Sequence, residues 1–499
     1  MTYTVWGNPA YKYGNPGRLW GDGTPATDPV IYWSIQVDWE NSGTYTGANE
    51  AQYCVDMEIK RGRTNRLNIG SEGVADGIAL PMIGSARLVF DNTTRRFDPY
   101  YTSGDLYGNL LPGRYIKIRV TYHGVTYPVF HGNIRTIDPQ DGENPIVIIE
   151  CEDGMRQIQG ADTNIGVQTD ININHAVVQI LDDIDWPDRF GHFTATTTPD
   201  DTLYYILPYF WTEGTAKKNI QDLCNAYAGN FWIDESGTAQ FKHFGIVTNV
   251  ALTIEESNTL KQISLPVPWE SIKNSQRFYY HAYAAQTTGT LWTQVDITEV
   301  GIGESVTFWG EYSYNNELCP AINIISPAAT TDYTMNTLAD GTGTDLTASF
   351  SVSLTDFGSK AKLVVTNNSA SIGFITLLKI RGDAVASNND SFVTYEDAAS
   401  IANFGRKYLR MDSKFIQKQK TAARHPVYTI NIAENDPSIL VQMDTRPDEQ
   451  FVSALFKGVI VDIAKFGIDE GRQFGYIEHK WTSPNGQRVL STFILENIR

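Results

Sequence analysis

Basic residues are scarce in this 499-residue sequence, since 39 Lys and Arg stand against 57 Asp and Glu, for a formal net charge of −18. Nucleic-acid binding needs clustered Lys and Arg to neutralise phosphates, so this balance argues against it. A run of about 18 apolar residues is also missing, and no membrane span is expected. The first residues lack the basic lead and apolar segment of a signal peptide. These absences predict synthesis in a reducing cytoplasm.

Cysteine is rare as well. Cys54, Cys151, Cys224 and Cys319 show no Cys-x-x-Cys spacing, and we expect reduced, mostly buried residues rather than disulfides or zinc ligands. The eight histidines form neither His-Glu-x-x-His nor His-x-His, so the zinc-peptidase spacings are absent. No Gly-x-Ser-x-Gly elbow occurs. The sequence therefore predicts no catalytic residues, no enzyme activity and no cofactor.

Two aspartates remain as metal candidates. Asp340 and Asp345 flank a Gly-rich stretch whose oxygens could bind Ca²⁺. The Asp-x-Asp-x-Asp-Gly order of a calcium loop is missing, so a plain Gly-rich turn is the favoured interpretation and no metal is predicted. Aromatic pairs such as Tyr312 with Tyr314 could stack on sugars, but core or protein-interface positions are favoured for them.

The main pattern in the sequence is a succession of short predicted strands. Apolar residues alternate with polar ones over 31–39, 116–122 and 125–129, and 145–151 is a continuous apolar run of strand length. Strands that follow one another without helices between them indicate a barrel or sandwich. Helical spacing then appears in two segments, one from Ile173 to Ile184 behind Asn172 or Asn174, and one from Ala216 to Tyr227 behind Thr215.

One stretch carries a family resemblance. Residues 87–137 give a strand ending in Asp91-Asn92, a loop reading RRFDPYYTSGDLYGNLLPGR, and a hairpin that leaves through Phe-x-Gly-x-Ile. This order of elements resembles the first barrel of the baseplate-hub or tail-tip proteins of long-tailed bacteriophages. Separate phrases similar to that family continue from Ile31 to Leu495.

The resemblance implies a mainly β fold with a small α+β lobe, two hub-type β-barrel domains and an inserted β-sandwich. The predicted division is an N-terminal arm at 1–28, a first barrel at 29–155 completed by about 230–264, a small helical lobe at 156–229, a second barrel from 265–302 with 420–499, an inserted β-sandwich at 303–385 and a connecting helix at 390–419.

The resemblance also implies a function. The expected protein is a structural component of the virion at the distal end of the tail, made in the host cytoplasm, whose homotrimeric ring closes or extends the tail tube. Its implied partners are the tail tube or distal tail protein, the tape-measure protein and a tip fibre or spike, with DNA only passing through the lumen. An alternative is an adhesin that binds a host surface glycan through 303–385, and another is a tail-associated cell-wall hydrolase.

The loop in the resembling stretch is the predicted interaction site. Its candidate contact residues are Arg95, Arg96, Phe97, Tyr100, Tyr101, Tyr107, Leu110, Leu111 and Arg114.

Overall fold

The computed structural model describes residues 32–45, 47–62, 67–69, 75–78, 80, 82–122, 124–193, 206–227, 229–243, 250–255, 273–424, 439–443, 458–463, 468–482 and 490–497. The N-terminal arm predicted at 1–28 lies outside these residues.

The first part of the chain consists of strands, as the alternating pattern predicts. They are β1 (Tyr32–Val37), β2 (Cys54–Gly62), β3 (Leu67–Ile69), β4 (Ala75–Ile78), β5 (Ser85–Asp91), β6 (Tyr115–Tyr122), β7 (Val125–Gln140) and β8 (Ile146–Glu152). In β1 the residues Trp33, Ile35 and Val37 are buried, and those between them are half-buried. One apolar face per strand is what a sheet covering a core requires.

A small lobe with helices follows. Its elements are α1 (Met155–Gly160), β9 (Gln168–Asn172), α2 (Ile173–Asp183), β10 (Ile206–Phe210), α3 (Ala216–Tyr227), β11 (Gly229–Ile233) and β12 (Ala239–His243). Both predicted caps are confirmed, because the Asn172 side chain accepts from the N–H of Asn174, and Thr215 Oγ1 accepts from that of Lys218 at 3.3 Å.

Strands return after the lobe. They are β13 (Val250–Glu255), β14 (Ser275–Ala285), β15 (Gly289–Thr293), β16 (Thr298–Val300), β17 (Ser305–Glu311), β18 (Ser313–Tyr314), β19 (Glu317–Leu318), β20 (Ala321–Ile325), β21 (Tyr333–Asn336), β22 (Phe350–Asp356), β23 (Lys360–Asn367) and β24 (Gly373–Glu396). Leu291 and Val300 share one core cluster with Leu363 and Ile380. The insert core therefore includes residues before 303, the predicted first residue.

The last elements are α4 (Ala398–Phe404), β25 (Tyr408–Met411), β26 (Ile439–Met443), β27 (Gly458–Ile463), β28 (Ile468–Thr482) and β29 (Leu490–Asn497). The connecting helix predicted at 390–419 is shorter, because β24 extends to Glu396 and Gly405, at φ +73°, ends the helix. Asp397 caps it by accepting from the N–H groups of Ala399 and Ser400.

The largest sheet joins early and late parts of the chain. Among the described strands its order is β1-β6-β7-β8-β5-β2-β28-β27-β13, with β29 beside β28 and β26 beside β29. The connecting ladder is antiparallel and pairs Glu58 with Thr482 and Gly62 with Glu478. Strands before residue 153 and strands after residue 457 thus form one continuous surface.

These pairings differ from the predicted grouping of strands. Strand β14, predicted to open the second barrel with 420–499, pairs with β24 and β25 instead. Strand β13, predicted to complete the first barrel, lies in the same sheet as β1 and β2, but its direct neighbour there is β27, to which it runs parallel. Hairpin β11–β12 forms its own two-stranded sheet, and its Phe231 and Phe241 belong to the lobe core. Local patterns locate strands but do not encode which distant edges pair.

Candidate interaction surfaces

The loop that carries the family resemblance, residues 92–114 and here called the signature loop, connects β5 to β6. Asn92 Oδ1 accepts from the Phe97 N–H at 2.9 Å and folds the start of the loop inward. The Phe97 ring is fully buried, 5.0 Å from the ring of Phe90 and 5.4 Å from that of Tyr53. Leu110 is also buried. Phe97 and Leu110, predicted to contact a partner, are core anchors instead.

Arg96 also has an internal role. Its Nη2 lies 2.8 Å from Oε1 of the fully buried Glu50, and the same oxygen accepts from Trp39 Nε1 at 3.0 Å. Arg96 Nη1 lies 3.4 Å from Asp105 within the loop. The charge of a buried carboxylate needs such partners, so Arg96 fastens the loop to the barrel wall.

The outward side of the signature loop is smaller than predicted. Tyr100 is 85% exposed, and Tyr107 and Leu111 are each about half exposed. Arg95 lies 2.6 Å from Asp98 and stacks over the half-buried Tyr101 at 4.3 Å, and this arginine holds the pKa of the Asp98 carboxyl below its usual value.

Arg114 closes the loop on itself, since its Nε donates to the Asn109 carbonyl at 3.2 Å. A partner would therefore meet Arg95, Tyr100, Tyr107 and Leu111 on a loop whose other candidates hold its shape.

His131 lies at the junction between the first strands and the lobe. Its Nδ1–H donates to the Ser236 carbonyl at 2.7 Å, which leaves Nε2 to accept from Tyr45 Oη at 2.8 Å. The ring of Phe190 stands edge-on at 4.9 Å. Gly237, at φ +85°, lets the β11–β12 turn approach, because a Cβ there would lie 2.5 Å from His131 Nδ1. The packing leaves no room for a substituent.

The junction keeps His131 neutral. Burial lowers the pKa of this imidazole to about 4, and the nearby Lys117, Arg119 and Arg189 act in the same direction, while the bond to Ser236 opposes them. Arg189 of the lobe also lies 2.7 Å from Asp38, which is buried at the end of β1. The junction is therefore a polar, fully packed contact between two parts of the chain.

The two metal candidates serve as turn residues. Asp340 Oδ1 accepts from the N–H of Thr342 at 3.0 Å and from its hydroxyl at 2.7 Å. Asp345 Oδ1 accepts from the Thr347 N–H at 2.8 Å. These bonds lower the pKa of both carboxyl groups and suit the Gly-rich turn. Within the described ranges, no group of three His, Cys, Asp or Glu residues could hold a metal ion.

The four cysteines are free and buried, as predicted. Among the described helices, none has both the length and the apolar character needed to cross a bilayer.

Tyr312, one of the aromatics considered for sugar stacking, is buried in the insert core, and its hydroxyl donates to Asp356 Oδ1 at 2.8 Å. Stacking of Tyr312 on a sugar is excluded by this burial.

A further surface has no counterpart in the sequence prediction. Arg277, Tyr279, Phe392, Tyr408 and Arg410, here called the arginine–aromatic face, lie on neighbouring strands. The Arg277 guanidinium lies 5.5 Å from the Phe392 ring centre and 5.7 Å from that of Tyr408, while Arg410 lies 4.6 Å from Tyr279. Phe392 remains 52% exposed. Exposed aromatic and arginine side chains in mutual contact are typical of protein interfaces.

Only one strand of the arginine–aromatic face could be recognised in the sequence. RFYYHAY shows a strand with arginine and tyrosine on alternate positions. The partner residues come from β24 and β25, more than 100 positions later, and only the strand register brings them together.

The mainly β fold of this chain is similar to that of a solved tail protein. A tail protein from Neisseria meningitidis MC58 matches with a TM-score of 0.51 and 8% identity, over 94% of this chain and 97% of that one. The 43 kDa tail protein of prophage MuSo2 from Shewanella oneidensis gives 0.49 and 10%, over 93% and 98% of the two chains. Prophage tail protein gp18 from Listeria monocytogenes EGD-e gives 0.42 and 9%, over 94% of each chain.

No protein-family model and no curated protein matches the sequence. The mainly β fold class and the likeness to tail proteins, both predicted from the sequence, are confirmed by the fold shared with the Neisseria protein. At 8% identity this likeness concerns the fold.

Proposed function

We propose that the protein is a structural component of a bacteriophage tail and works as a hub at the tail tip. The observation that carries this proposal is the fold shared with the Neisseria tail protein, which extends over 94% of this chain and 97% of that one. The described residues offer surfaces for contact, the signature loop and the arginine–aromatic face, on packed β-sheets. Such a protein acts by shape and by binding rather than by turnover.

The hub is proposed to be a homotrimeric ring at the distal end of the tail. A ring forms when a heterologous contact repeats with a rotation that closes. We assign this contact to the arginine–aromatic face, because the chain carries a net charge of −18 and a neighbouring copy therefore presents mostly carboxylates. Arg277 stacks on two rings and has no ion-pair partner among the described side chains, which leaves its charge available to that neighbour.

The proposed neighbours of the ring are the tail tube or distal tail protein on one side and a tip fibre or spike on the other, with the tape-measure protein and later DNA passing through its lumen. The exposed part of the signature loop, Tyr100, Tyr107 and Leu111, is assigned to one of these protein partners. An acidic lumen would repel the phosphate backbone and keep passing DNA from adhering.

Mass measurement of the purified protein tests the ring. The wild type is expected to have the mass of three chains, and Arg277→Glu is expected to weaken association at least about tenfold, because a like charge replaces an attractive one. Lys217→Glu makes the same charge change at an exposed position on α3, outside the five residues of the face, and is expected to leave the trimer intact. A monomeric wild type at all concentrations, or antibody labelling away from the tail tip of particles, would contradict the proposal.

A further inference from the structure

The insert has a flat outer surface formed by β17, β23 and β22. These strands pair in register from Ser305↔Thr366 to Glu311↔Lys360, and from Phe350↔Asn367 to Asp356↔Ala361. The residues on one side, such as Leu363 and Val365, are buried in the insert core. The residues between them face away from it, and this second side is here called the outer face.

Hydroxyl groups dominate the outer face. Ser305, Thr307, Ser353 and Thr355 are exposed there, and the Ser305 hydroxyl lies 2.7 Å from that of Thr366. Each hydroxyl both donates and accepts hydrogen bonds, which matches the hydroxyls of a carbohydrate. A solvated sheet face is often polar, so these residues alone do not select a ligand.

Trp309 distinguishes this face from an ordinary polar surface. It follows Thr307 on β17, an edge strand of this sheet, and is 53% exposed. Its ring is supported by that of Phe357 at 5.4 Å and by Lys360 Nζ at 5.7 Å from the ring centre. Singly exposed apolar residues are ordinary on a protein surface, but an indole whose position is fixed by two neighbours offers a defined apolar surface to a ligand. A rigid, exposed indole provides a platform for the apolar side of a sugar ring.

The charges beside Trp309 indicate which sugars fit. Lys362 is its cross-strand neighbour, and Lys360 follows one row further, opposite Glu311. Two lysines and one glutamate leave a local positive charge on a chain whose net charge is −18. The local positive charge would attract an acidic sugar, whereas it would add nothing to the binding of a neutral sugar.

We propose that the outer face binds an acidic polysaccharide, with a sugar ring on Trp309, carboxylates near Lys360 and Lys362, and hydroxyl groups along the serine and threonine rows. This inference goes beyond the proposed hub function and does not depend on it, since a hub needs no sugar ligand.

Binding of the full-length protein to polygalacturonic acid, measured by calorimetry at low and at physiological salt, tests the proposal. Trp309→Ala is expected to weaken binding about tenfold, whereas Trp309→Tyr retains most of it. Lys360→Gln with Lys362→Gln is expected to remove the dependence of binding on salt. Tyr395→Ala, which alters an exposed aromatic residue outside the insert, serves as the matched control and leaves binding unchanged.

Three comparison polymers complete the test. Neutral dextran has sugar rings but no charge, and polyglutamate has charge but no sugar rings. Each lacks either the contact with the lysines or the contact with Trp309, so both are expected to bind at least about tenfold more weakly. A phosphodiester-linked glycan is expected to bind through the same three side chains. Equal binding of dextran or polyglutamate, binding unaffected by Trp309→Ala in a folded variant, or no binding of any glycan would overturn the proposal, whatever the oligomeric state.

Discussion

Phe97 in the signature loop and Trp309 on the insert are both aromatic residues within polar stretches, yet the fold uses them differently. Phe97 is fully buried between Phe90 and Tyr53, and the loop around it is held by the pair Arg96–Glu50. Trp309 contacts Phe357 and Lys360 and is left 53% exposed. The signature loop, which carries the family resemblance, is therefore mainly an anchor. The exposed Trp309 lies in a segment that carries no sequence motif.

Truncating the buried member of this comparison is expected to have the largest effect. Phe97→Ala should lower the free energy of unfolding by about 4 kcal/mol, because it leaves a cavity in the barrel core. Tyr100→Ala, three positions away and 85% exposed, should change it by less than about 0.5 kcal/mol. Denaturant unfolding of both variants measures the difference, and equal losses would refute the distinction between anchor and surface within the loop.

The two adjacent arginines of the loop sharpen the comparison further. Arg96→Met should cost about 3 kcal/mol, because it removes a charged partner of the fully buried Glu50. Arg95→Met removes only an exposed pair with Asp98 and should cost less than about 1 kcal/mol. If thermal unfolding shows the two variants to be alike, Arg96 does not fasten the loop.

Acidification should loosen the junction between the barrel strands and the lobe. Since the folded pKa of His131 is about 4, below its ordinary value of 6.5, the unfolded chain takes up a proton first as the pH falls. The stability linked to this histidine is thus complete above pH 6.5 and is lost towards pH 4, by about 3 kcal/mol in all.

The comparison of wild type with His131→Gln isolates this contribution from those of other groups. Wild type should lose more stability than His131→Gln between pH 7.5 and pH 4.5, while His192→Gln, at an exposed ring, should behave as wild type. Parallel pH profiles of wild type and His131→Gln would show that the junction does not hold the imidazole neutral.

The smallest expected effect concerns the contact between insert and lobe. Gly358 has φ +80°, and a Cβ there would lie 3.0 Å from Gly166 and 3.1 Å from the Ile165 carbonyl. Gly358→Ala should therefore cost about 2 kcal/mol, and Gly113→Ala, at φ +87° with open space around it, about 1 kcal/mol. Calorimetric unfolding of the two variants measures the difference. An equal loss of stability would mean that the contact between insert and lobe adjusts to the added methyl group without strain.

Local sequence signals predicted much of the fold. The caps at Asn172 and Thr215 could be predicted because each depends only on residues next to it in the sequence. The alternation of apolar and polar residues in β1 shows directly which face of the strand is buried. The helix after β24 was predicted too long, because Tyr408 continues the helical spacing although Gly405 turns the chain.

The candidate surfaces were harder to predict, because they depend on contacts between distant residues. Phe97 and Leu110 lie in a loop, and only the tertiary fold shows that both point into the core. Arg277 meets Phe392 and Tyr408 only through the strand register. Neither arrangement leaves a periodic trace in the sequence.

The ladder between β2 and β28 has a consequence for biosynthesis. β5 pairs with one edge of β2, but until the ribosome has made Glu478–Thr482 the other edge, from Glu58 to Gly62, stays open and can pair with another chain. Nascent chains held close together on one messenger would be exposed to this mispairing for most of their translation. We therefore expect slow translation or crowded expression to yield aggregates that a chaperone shielding strand edges would reduce.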